Sequence, residues 1–170
     1  GDGIGDLPGI ISRLDYLQKL GVGALWLSPV YPSPNKDNGY DISDYCNIHP
    51  NYGTLQDMGT LIAEAKKRDI RIIMDLVINH TSDQHEWFQK SRRRIEPYTD
   101  YYIWRKGEKG KKPTNWGNFF GGDCWEYDDL RGEYYLHLFA KEQPDLNYHN
   151  EAVIEAIEEA MHFWLERGVA

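Results

Sequence analysis

Residues 71–78 have the sequence RIIMDLVI, in which Asp75 is the one acidic residue inside a nearly continuous apolar run. A short apolar run of this kind is typical of a parallel strand that is buried on both faces. Burying a lone carboxylate is costly, so Asp75 is expected to have a strong partner. The run therefore predicts a strand of a parallel sheet and marks Asp75 for either a structural ion pair or a functional role.

Upstream of this strand, apolar spacing and turn residues predict an alternation of helices and strands. The predicted elements are a helix over residues 8–20, a buried strand over 24–27, a long loop over 30–53 and a helix over 54–68. Thr54 and Asp57 have the spacing of a capping pair, and Gly21 stands where a left-handed helix end is favoured. Such an alternation predicts a parallel sheet with right-handed crossovers.

Downstream of the strand, residues 81–146 interrupt the alternation and predict a small α+β insertion. Its predicted elements are a short helix near 86–91 and strand-like segments at 101–104 and 134–139, and a final helix follows from Asn150 to Arg167. Two strands cannot bury these helices, and a complete barrel takes about 250 residues. The pattern of elements therefore predicts a fragment of a larger α/β domain.

Composition excludes several classes of function. With 41% hydrophobic and 27% charged residues, the chain has the composition of a soluble globular protein. A net charge of -8 argues against a nucleic-acid partner, and the basic runs at 92–94 and 106–112 are interpreted as solvated loop surface. Cys46 and Cys124 lack CxxC spacing, which favours free thiols in a reducing, cytoplasmic compartment. No apolar run reaches 18 residues, so no membrane span is predicted.

Two loops that follow predicted strands carry polar and aromatic residues. The first contains the run Asp37-Asn38-Gly39-Tyr40-Asp41, and the second contains Asn79 and His80. Because such loops meet at one face of a barrel, they predict a pocket whose carboxylates, imidazole and aromatic ring suit a polyhydroxylated ligand. A structural interpretation stays open, since Asp-Asn-Gly-Tyr is a common turn sequence and Asn79-His80 can cap a strand end.

Four stretches of the chain resemble motifs of the α-amylase superfamily, in the same order. They are GVGALWLSPVYPSP at 21–34, DNGY at 37–40, DLVINH at 75–80 and QPDLN at 143–147. The last resembles the branch that includes oligo-1,6-glucosidases and α-glucosidases. The resemblance implies an α/β fold, namely a fragment of a (β/α)₈ TIM barrel with a small α+β domain B inserted after the third strand. Residues 1–80 would run from barrel helix 1 to strand 3, residues 81–146 would form domain B, and residues 147–170 would form barrel helix 3 up to the start of strand 4.

The resemblance also implies the substrate-binding residues. Asp37 would hold the innermost glucose, Tyr40 would stack on its ring, His80 would bond its hydroxyls and Asp75 would orient a neighbouring arginine. The walls of the pocket would come from Phe120, Phe139 and Gln143. The nucleophilic aspartate and the acid/base glutamate of the family are expected beyond Ala170, so no catalytic residue is expected in this chain, which is expected to be inactive alone.

The N-terminal sequence GDGIGD resembles the tail of a calcium loop of the same family. Asp2, the carbonyl of Ile4 and Asp6 are therefore candidate oxygen ligands for a structural calcium in the full-length parent. A plain acidic turn is the alternative interpretation. No cofactor is expected for the chemistry itself.

The implied activity is that of a retaining glycoside hydrolase that releases glucose from the non-reducing ends of α-glucosides. One alternative is a transglycosylase or isomerase such as trehalose synthase, or a trehalose-6-phosphate hydrolase. Another is a noncatalytic subunit that resembles the heavy chains of amino-acid transporters. The parent is expected to be monomeric, to bind an oligosaccharide or disaccharide α-glucoside, and to have no nucleic-acid or membrane partner.

Overall fold

The computed structural model describes residues 3–170, which fall into two compact units. The first unit consists of residues 3–32, 45–76 and 159–170, and the second consists of residues 33–44 and 77–158. Each unit contains one small sheet, and each is described by itself below.

The first unit is built on a pair of parallel strands flanked by helices. Its elements are α1 (Leu7–Ile11), α2 (Leu14–Lys19), β1 (Ala24–Leu27), α3 (Leu55–Lys66) and β2 (Arg71–Met74). The strands β1 and β2 pair in parallel, with Ala24 opposite Arg71 and Leu27 opposite Met74. The parallel arrangement predicted from the alternation of helices and strands is therefore confirmed.

The helix α3 begins and packs as its sequence predicts. The Thr54 side chain accepts from the Asp57 N–H at 3.1 Å, and the Asp57 carboxylate accepts from the Thr54 N–H at 2.8 Å. This reciprocal capping box satisfies two N–H groups that lack partners within the helix. The helix buries one apolar side, formed by Met58, Leu61, Ile62 and Ala65.

The prediction of one helix over residues 8–20 is wrong, because the chain breaks into α1 and α2 at Ser12 and Arg13. The Ser12 hydroxyl donates to the carbonyl of Gly9 at 2.7 Å, and the Arg13 N–H donates to the carbonyl of Ile10 at 2.9 Å. These bonds, three residues apart, tighten the chain into a turn in place of a continuing α-helix. Gly21, at φ 85°, follows α2 in the left-handed conformation that was predicted.

The strand β2 is shorter and more exposed than its sequence predicts. It ends at Met74, and although Ile72 is 2% exposed, Ile73 is 38% exposed. Trp26 of β1 is likewise 57% exposed, so burial on both faces of the sheet stays a prediction for the whole barrel. One face of the two-stranded sheet is packed, and the residues described here leave the other face open.

Asp75 follows the end of β2 and is half-buried. Its backbone carbonyl accepts from the Tyr31 hydroxyl at 2.9 Å. Among residues 3–170, no ion pair involves its carboxylate, so the strong partner expected for a buried charge is not found there. Because the side chain keeps partial contact with solvent, the cost of its charge is smaller than in a fully buried strand. The implied contact of Asp75 with an arginine stays a prediction.

The second unit contains a three-stranded antiparallel sheet. Its elements are α4 (Glu86–Ser91), β3 (Trp104–Arg105), β4 (Trp125–Asp128) and β5 (Glu133–Leu136), and α5 (Glu151–Leu165) starts within it. The strand order is β3-β5-β4. The predicted strand-like segments are shorter in the structure, and β4 was not predicted. The four residues of β4, WEYD, carry only two apolar side chains, which is too few to give a periodic signal.

The basic run at 92–94 is not the simple solvated surface that was predicted. Arg92 pairs with Asp128 at 2.7 Å, and Arg94 pairs with Glu133 at 3.2 Å. Both carboxylates are almost completely buried, so these arginines neutralise charges inside the unit. The run at 106–112, in contrast, is exposed along its whole length as predicted.

Two further sequence predictions concern thiols and membrane spans. Cys46 and Cys124 are free thiols. Burial raises the pKa of the Cys124 thiol. Within residues 3–170, no helix has the length and apolar character needed to cross a bilayer.

Candidate functional site

The loop over residues 33–41 of the second unit is folded around the carboxylate of Asp41, which is 0% exposed. Its Oδ1 accepts from the Ser33 hydroxyl at 2.9 Å and from the Asp37 N–H at 3.0 Å, and its Oδ2 accepts from the Lys36 N–H at 2.9 Å. A buried carboxylate is tolerated when donors satisfy it in this way. The loop backbone is thereby fixed on both sides of Asp37.

A tight turn places the next residues of the loop. Asn38 and Gly39 both have positive φ, 50° and 95°, and the Tyr40 N–H donates to the Asp37 carbonyl at 2.9 Å. Glycine and asparagine adopt this conformation at low cost, which explains the Asn-Gly sequence at this point. The turn directs the backbone carbonyl of Tyr40 toward His80, whose Nε2 lies 3.2 Å away.

Gln143 is 0% exposed and connects the other groups of the site. Its Nε2 donates to Asp37 Oδ2 at 2.9 Å and lies 3.0 Å from His80 Nε2. Its Oε1 accepts from the Ala140 N–H at 3.0 Å. Because a backbone N–H can only donate, this last bond fixes the amide with its nitrogen toward Asp37. We refer to Asp37, His80 and Gln143 together as the Asp37–Gln143 site.

The contacts of His80 indicate which ring nitrogen carries the proton. The Asn79 amide nitrogen lies 3.2 Å from His80 Nδ1, and the Tyr40 carbonyl lies 3.2 Å from Nε2. An amide nitrogen donates and a carbonyl accepts, so a proton on Nε2 satisfies both contacts. With the proton on Nδ1 instead, Nε2 could accept from the Gln143 amide nitrogen, but the contacts with the Tyr40 carbonyl and the Asn79 amide would not be hydrogen bonds. We therefore assign the proton to Nε2.

Burial shifts the pKa of two groups at the site. It lowers the pKa of His80, although the Tyr40 carbonyl and two nearby carboxylates act in the opposite direction. It raises the pKa of Asp145 to about 6, although hydrogen bonds from Leu138 and Asn79 oppose the shift. Because the charged form of a buried group loses solvation, His80 is an uncharged imidazole at neutral pH.

An antiparallel bridge between His80 and Asp145 joins two distant parts of the sequence. The Leu146 N–H donates to the Asn79 carbonyl at 3.0 Å, and the Asn79 side chain donates to Asp145 Oδ1 at 3.3 Å. Asp145 Oδ1 also accepts from the Leu138 N–H at 3.0 Å. These contacts hold the segment of Gln143 against the segment of His80.

An aromatic row leads from the buried imidazole to solvent. The ring centroid of Phe139 lies 5.0 Å from that of His80, 5.1 Å from that of Phe119 and 5.9 Å from that of Phe120. His80 is 4% exposed, whereas Phe119 and Phe120 are 74% and 61% exposed. The site therefore has a polar, buried end and an apolar, open end, which is the combination that small-molecule sites commonly present.

The protein family described as "Alpha amylase, catalytic domain" matches residues 1–170. The chain belongs to this family. Oligo-1,6-glucosidases from Parageobacillus thermoglucosidasius and Bacillus cereus are 59% and 58% identical to it over 170 residues, which are 99% of this chain and 30% of each relative. The chain thus spans about 30% of the length of these curated relatives.

A solved structure of the α-amylase family is similar throughout the chain. It is a variant of the isomaltulose synthase from Erwinia rhapontici in complex with D-glucose, with a TM-score of 0.95 and 56% sequence identity. The match covers 100% of this chain and 31% of the synthase. The predicted fold class, part of a (β/α)₈ barrel of the α-amylase family, is therefore confirmed.

The second unit brings together six of the seven substrate-binding residues that the sequence predicts. They are Asp37, Tyr40, His80, Phe120, Phe139 and Gln143. Asp75 belongs to the first unit and is described with it above. The stacking of Tyr40 on a sugar ring stays a prediction, because the contact described here is that of its backbone carbonyl.

The sequence placed Asp41 and Asn79 in the polar loops of the predicted pocket without naming them as site residues, and it did not single out Phe119. Asp41 follows a loop rich in proline and asparagine, whose backbone N–H groups need a side-chain acceptor, and this was an available signal. The Asn79 amide nitrogen lies 3.2 Å from His80 Nδ1, and ring nitrogens in functional sites are commonly fixed by a partner of this kind. The sequence does not distinguish Phe119 from its neighbour Phe120, and only the structure shows that both rings contact Phe139.

The candidate calcium ligands lie at the start of the chain. Asp2 is outside the described residues. Asp6 Oδ1 accepts from the Gly9 N–H at 2.7 Å and caps α1, and Ile4 is 47% exposed. Calcium takes six to eight oxygen ligands, and residues 3–170 contain no group of three His, Cys, Asp or Glu that could hold a metal ion. A structural calcium in the parent stays a prediction.

Proposed function

We propose that the protein to which this chain belongs is a glycoside hydrolase that releases glucose from the non-reducing ends of α-glucosides. The observation that carries this proposal is the buried Asp37–Gln143 site in a chain of the α-amylase family whose relatives, at 58–59% identity, are oligo-1,6-glucosidases. The proposal assigns this chain the recognition of the terminal glucose unit.

The free oxygen of Asp37 is the feature that suits a sugar. Asp37 is half-buried, its Oδ2 is bound by Gln143, and its Oδ1 accepts no hydrogen bond from any of the residues described here. A carboxylate oxygen held in place by one donor can accept from a second, and a charge-assisted bond to a hydroxyl is stronger than a neutral one. The terminal unit of a glucan carries free hydroxyls that an internal unit has lost to the next linkage.

The closed end of the site favours binding at a chain end. Gln143, which donates to Asp37, is 0% exposed and His80 is 4% exposed, whereas the rings of Phe119 and Phe120 are open to solvent. A substrate would therefore enter with its terminal glucose first and extend outward past the aromatic rings. This orientation corresponds to exo-acting hydrolysis.

Bond cleavage in a retaining glycosidase needs two carboxylates about 5–5.5 Å apart. Asp41 and Asp145 each accept from backbone N–H groups and are occupied in supporting the site. We therefore propose that the carboxylates that break the bond are other residues of the whole protein. Retention predicts that the first glucose released is the α-anomer.

The test is hydrolysis of isomaltose and p-nitrophenyl α-glucoside by the whole protein, with the anomer of the first glucose identified by NMR. In Asp37→Asn, the loss of the charged acceptor should lower kcat/KM about 100-fold, since a hydrogen bond to a charged group contributes about 1.5–3 kcal/mol. Glu155→Gln, the same chemical change on the exposed surface of α5, should have no effect. Initial release of the β-anomer, or equal kinetics of the two variants, would contradict the proposal.

A second candidate function is supported by the structural similarity to isomaltulose synthase at 56% identity. Incubation with sucrose distinguishes the two functions, since a hydrolase releases glucose and fructose whereas an isomerase forms isomaltulose. The noncatalytic alternative predicts no turnover of any of these sugars. We also propose that the protein is a cytoplasmic monomer without nucleic-acid or membrane partners, which cell fractionation and light scattering would test.

A further inference from the structure

The side chains of Asp145, Asn79 and His80 form a chain of polar contacts in the second unit. The Asn79 amide nitrogen donates to Asp145 Oδ1 at 3.3 Å and lies 3.2 Å from His80 Nδ1. Because an amide nitrogen carries two hydrogens, it can donate to both groups at the same time. The carboxylate of Asp145 is thereby connected to the imidazole of the Asp37–Gln143 site.

The backbone at Asp145 is held in place independently of its side chain. Its N–H donates to the Leu136 carbonyl at 2.9 Å, and its carbonyl accepts from the Ile103 N–H at 3.3 Å. The two bonds that the carboxylate accepts, from Asn79 and from the Leu138 N–H, are both made by Oδ1. Changes to the side chain can therefore alter the contact with Asn79 while the backbone stays bonded on both sides.

The ring of His80 and its partners are compatible with two arrangements. In the structure, the Asn79 nitrogen faces Nδ1 and the proton is on Nε2, 3.2 Å from the Tyr40 carbonyl. If the Asn79 amide were rotated, its Oδ1 would accept from a proton on Nδ1, and Nε2 would accept from Gln143 Nε2, 3.0 Å away. Each arrangement gives both ring nitrogens a partner, so the ring alone does not select between them.

The carboxylate of Asp145 selects the first arrangement. A rotated amide would direct Asn79 Oδ1 at Asp145 Oδ1, which places two acceptors against each other with no hydrogen between them. The present arrangement instead gives the carboxylate a charge-assisted bond, which is roughly twice as strong as a neutral one. Asn79 is exposed, and within residues 3–170 its side chain bonds to Asp145 and His80 alone.

The position of the proton decides what His80 offers to a sugar. Its Nε2 lies 3.0 Å from Gln143 Nε2, which in turn lies 2.9 Å from Asp37 Oδ2. With the proton on Nε2, the site presents a donor beside the acceptor of Asp37, and a sugar hydroxyl is able to use either. With the proton on Nδ1, Nε2 becomes an acceptor for the Gln143 amide, and the ring has no donor left on this side.

We propose that Asp145 and Asn79 are positioning residues, which hold the His80 proton on Nε2 and so keep the imidazole a donor for the terminal glucose. Asp145 acts on the ring through the amide of Asn79 and needs no contact with the substrate. The role in binding glucose rests on the proposed function. The position of the proton, in contrast, is a property of the protein that is measured without any sugar.

The decisive variant exchanges the two side chains, as Asn79→Asp combined with Asp145→Asn in the whole protein. It has the charge and composition of the wild type, but the group that faces His80 Nδ1 is a carboxylate, which only accepts. The measurement is ¹⁵N NMR of the histidine-labelled protein at pH 8, with the signals assigned by their loss in His80→Gln. At that pH Asp145, with a pKa of about 6, is ionised, and His80, whose pKa burial lowers, is neutral.

The exchanged variant should carry the His80 proton on Nδ1, whereas the wild type should carry it on Nε2. If the exchanged variant does not fold, Asn79→Asp alone, a change at an exposed side chain, should move the proton in the same way. A proton that stays on Nε2 in the folded variant would overturn the proposal.

Single substitutions of Asp145 separate the positioning of His80 from support of the fold. Asp145→Ala removes the acceptor, so the Asn79 amide is free to rotate and the spectra should show a mixture of the two tautomers. Asp145→Asn keeps an Oδ1 that the Leu138 N–H orients, so it should restore the proton to Nε2. Spectra of Asp145→Ala that match those of the wild type would contradict the role of the carboxylate.

Calorimetry with D-glucose connects the tautomer to recognition. The exchanged variant should bind glucose about tenfold more weakly, the effect of losing one hydrogen bond, and Glu155→Gln should bind it like the wild type. Unchanged affinity with the proton on Nδ1 would overturn the role in recognition. A wild type that binds no glucose would contradict the proposed function instead, and the spectra would still decide where the proton lies.

Discussion

Replacing Gln143 with glutamate tests the bond that organises the site. In Gln143→Glu a carboxyl oxygen takes the place of the nitrogen that lies 2.9 Å from Asp37 Oδ2. Two unit charges at about this distance repel by roughly 6 kcal/mol at an effective dielectric constant of about 20. Protonating the new carboxyl costs less than this repulsion. At pH 7, about 2.7 units above the usual pKa of glutamate, protonation costs roughly 4 kcal/mol, since each unit corresponds to about 1.36 kcal/mol.

The pH dependence of this variant follows from the same comparison. The new carboxyl is protonated in the folded state at pH values where it is ionised in the unfolded state, so its folded pKa is raised. Its stabilising contribution is therefore complete below about pH 4.3 and is lost as the pH rises. We expect the free energy of unfolding to fall by roughly 4 kcal/mol at pH 7 and by only about 1 kcal/mol at pH 5.

The assay is urea unfolding of the whole protein at pH 5 and pH 7, with the wild type measured under both conditions. Gln143→Met is the matched control, since it removes the same donor without adding a carboxyl. Its loss should be about 1–3 kcal/mol and independent of pH, the usual cost of an unsatisfied buried partner. The donor–acceptor assignment fails if both variants lose the same free energy at pH 7, or if Gln143→Glu does not recover at pH 5.

Two further predictions follow from the pKa shifts at the site. Because burial raises the pKa of Asp145 to about 6, its stabilising contribution is complete below about pH 4 and is lost as the pH rises through 6. Asp145→Asn should therefore raise the free energy of unfolding at pH 7 by on the order of 2 kcal/mol and should show no gain at pH 4, as measured by urea unfolding. Because burial lowers the pKa of His80, ¹⁵N NMR of the ring at neutral pH should show a neutral imidazole with its proton on Nε2. A doubly protonated ring, or a proton on Nδ1, would contradict the assignment.

Local signals in the sequence predicted those parts of the fold that local interactions determine. The capping box at Thr54 and the turn at Gly21 involve residues at most five positions apart, and both are confirmed. The break between α1 and α2 was missed because apolar spacing continues through it while the Ser12 hydroxyl ends the helix. The Arg92–Asp128 ion pair was not predicted, because the two residues are far apart in the sequence and no local pattern connects them.

The sequence named residues that the structure brings together in the second unit, but it did not predict the contacts between them. The resemblance to the α-amylase family indicated Asp37, His80 and Gln143, but the bond between Asp37 and Gln143 joins residues 106 positions apart. Periodicity and turn chemistry carry no information at that distance. The same holds for Asp41, whose role depends on which loop N–H groups the fold leaves without partners.

The bridge between His80 and Asp145 has a consequence for how this family can vary. Residues 81–144 form a long segment whose two ends lie side by side, because the bridge joins the residues that flank it. Closing a longer loop between fixed ends costs only about 0.6 kcal/mol for each doubling of its length. Insertions at the exposed residues 106–112 can therefore lengthen this segment without moving His80 or Gln143. The segment 106–112 can therefore change in length and sequence while His80 and Gln143 keep their positions.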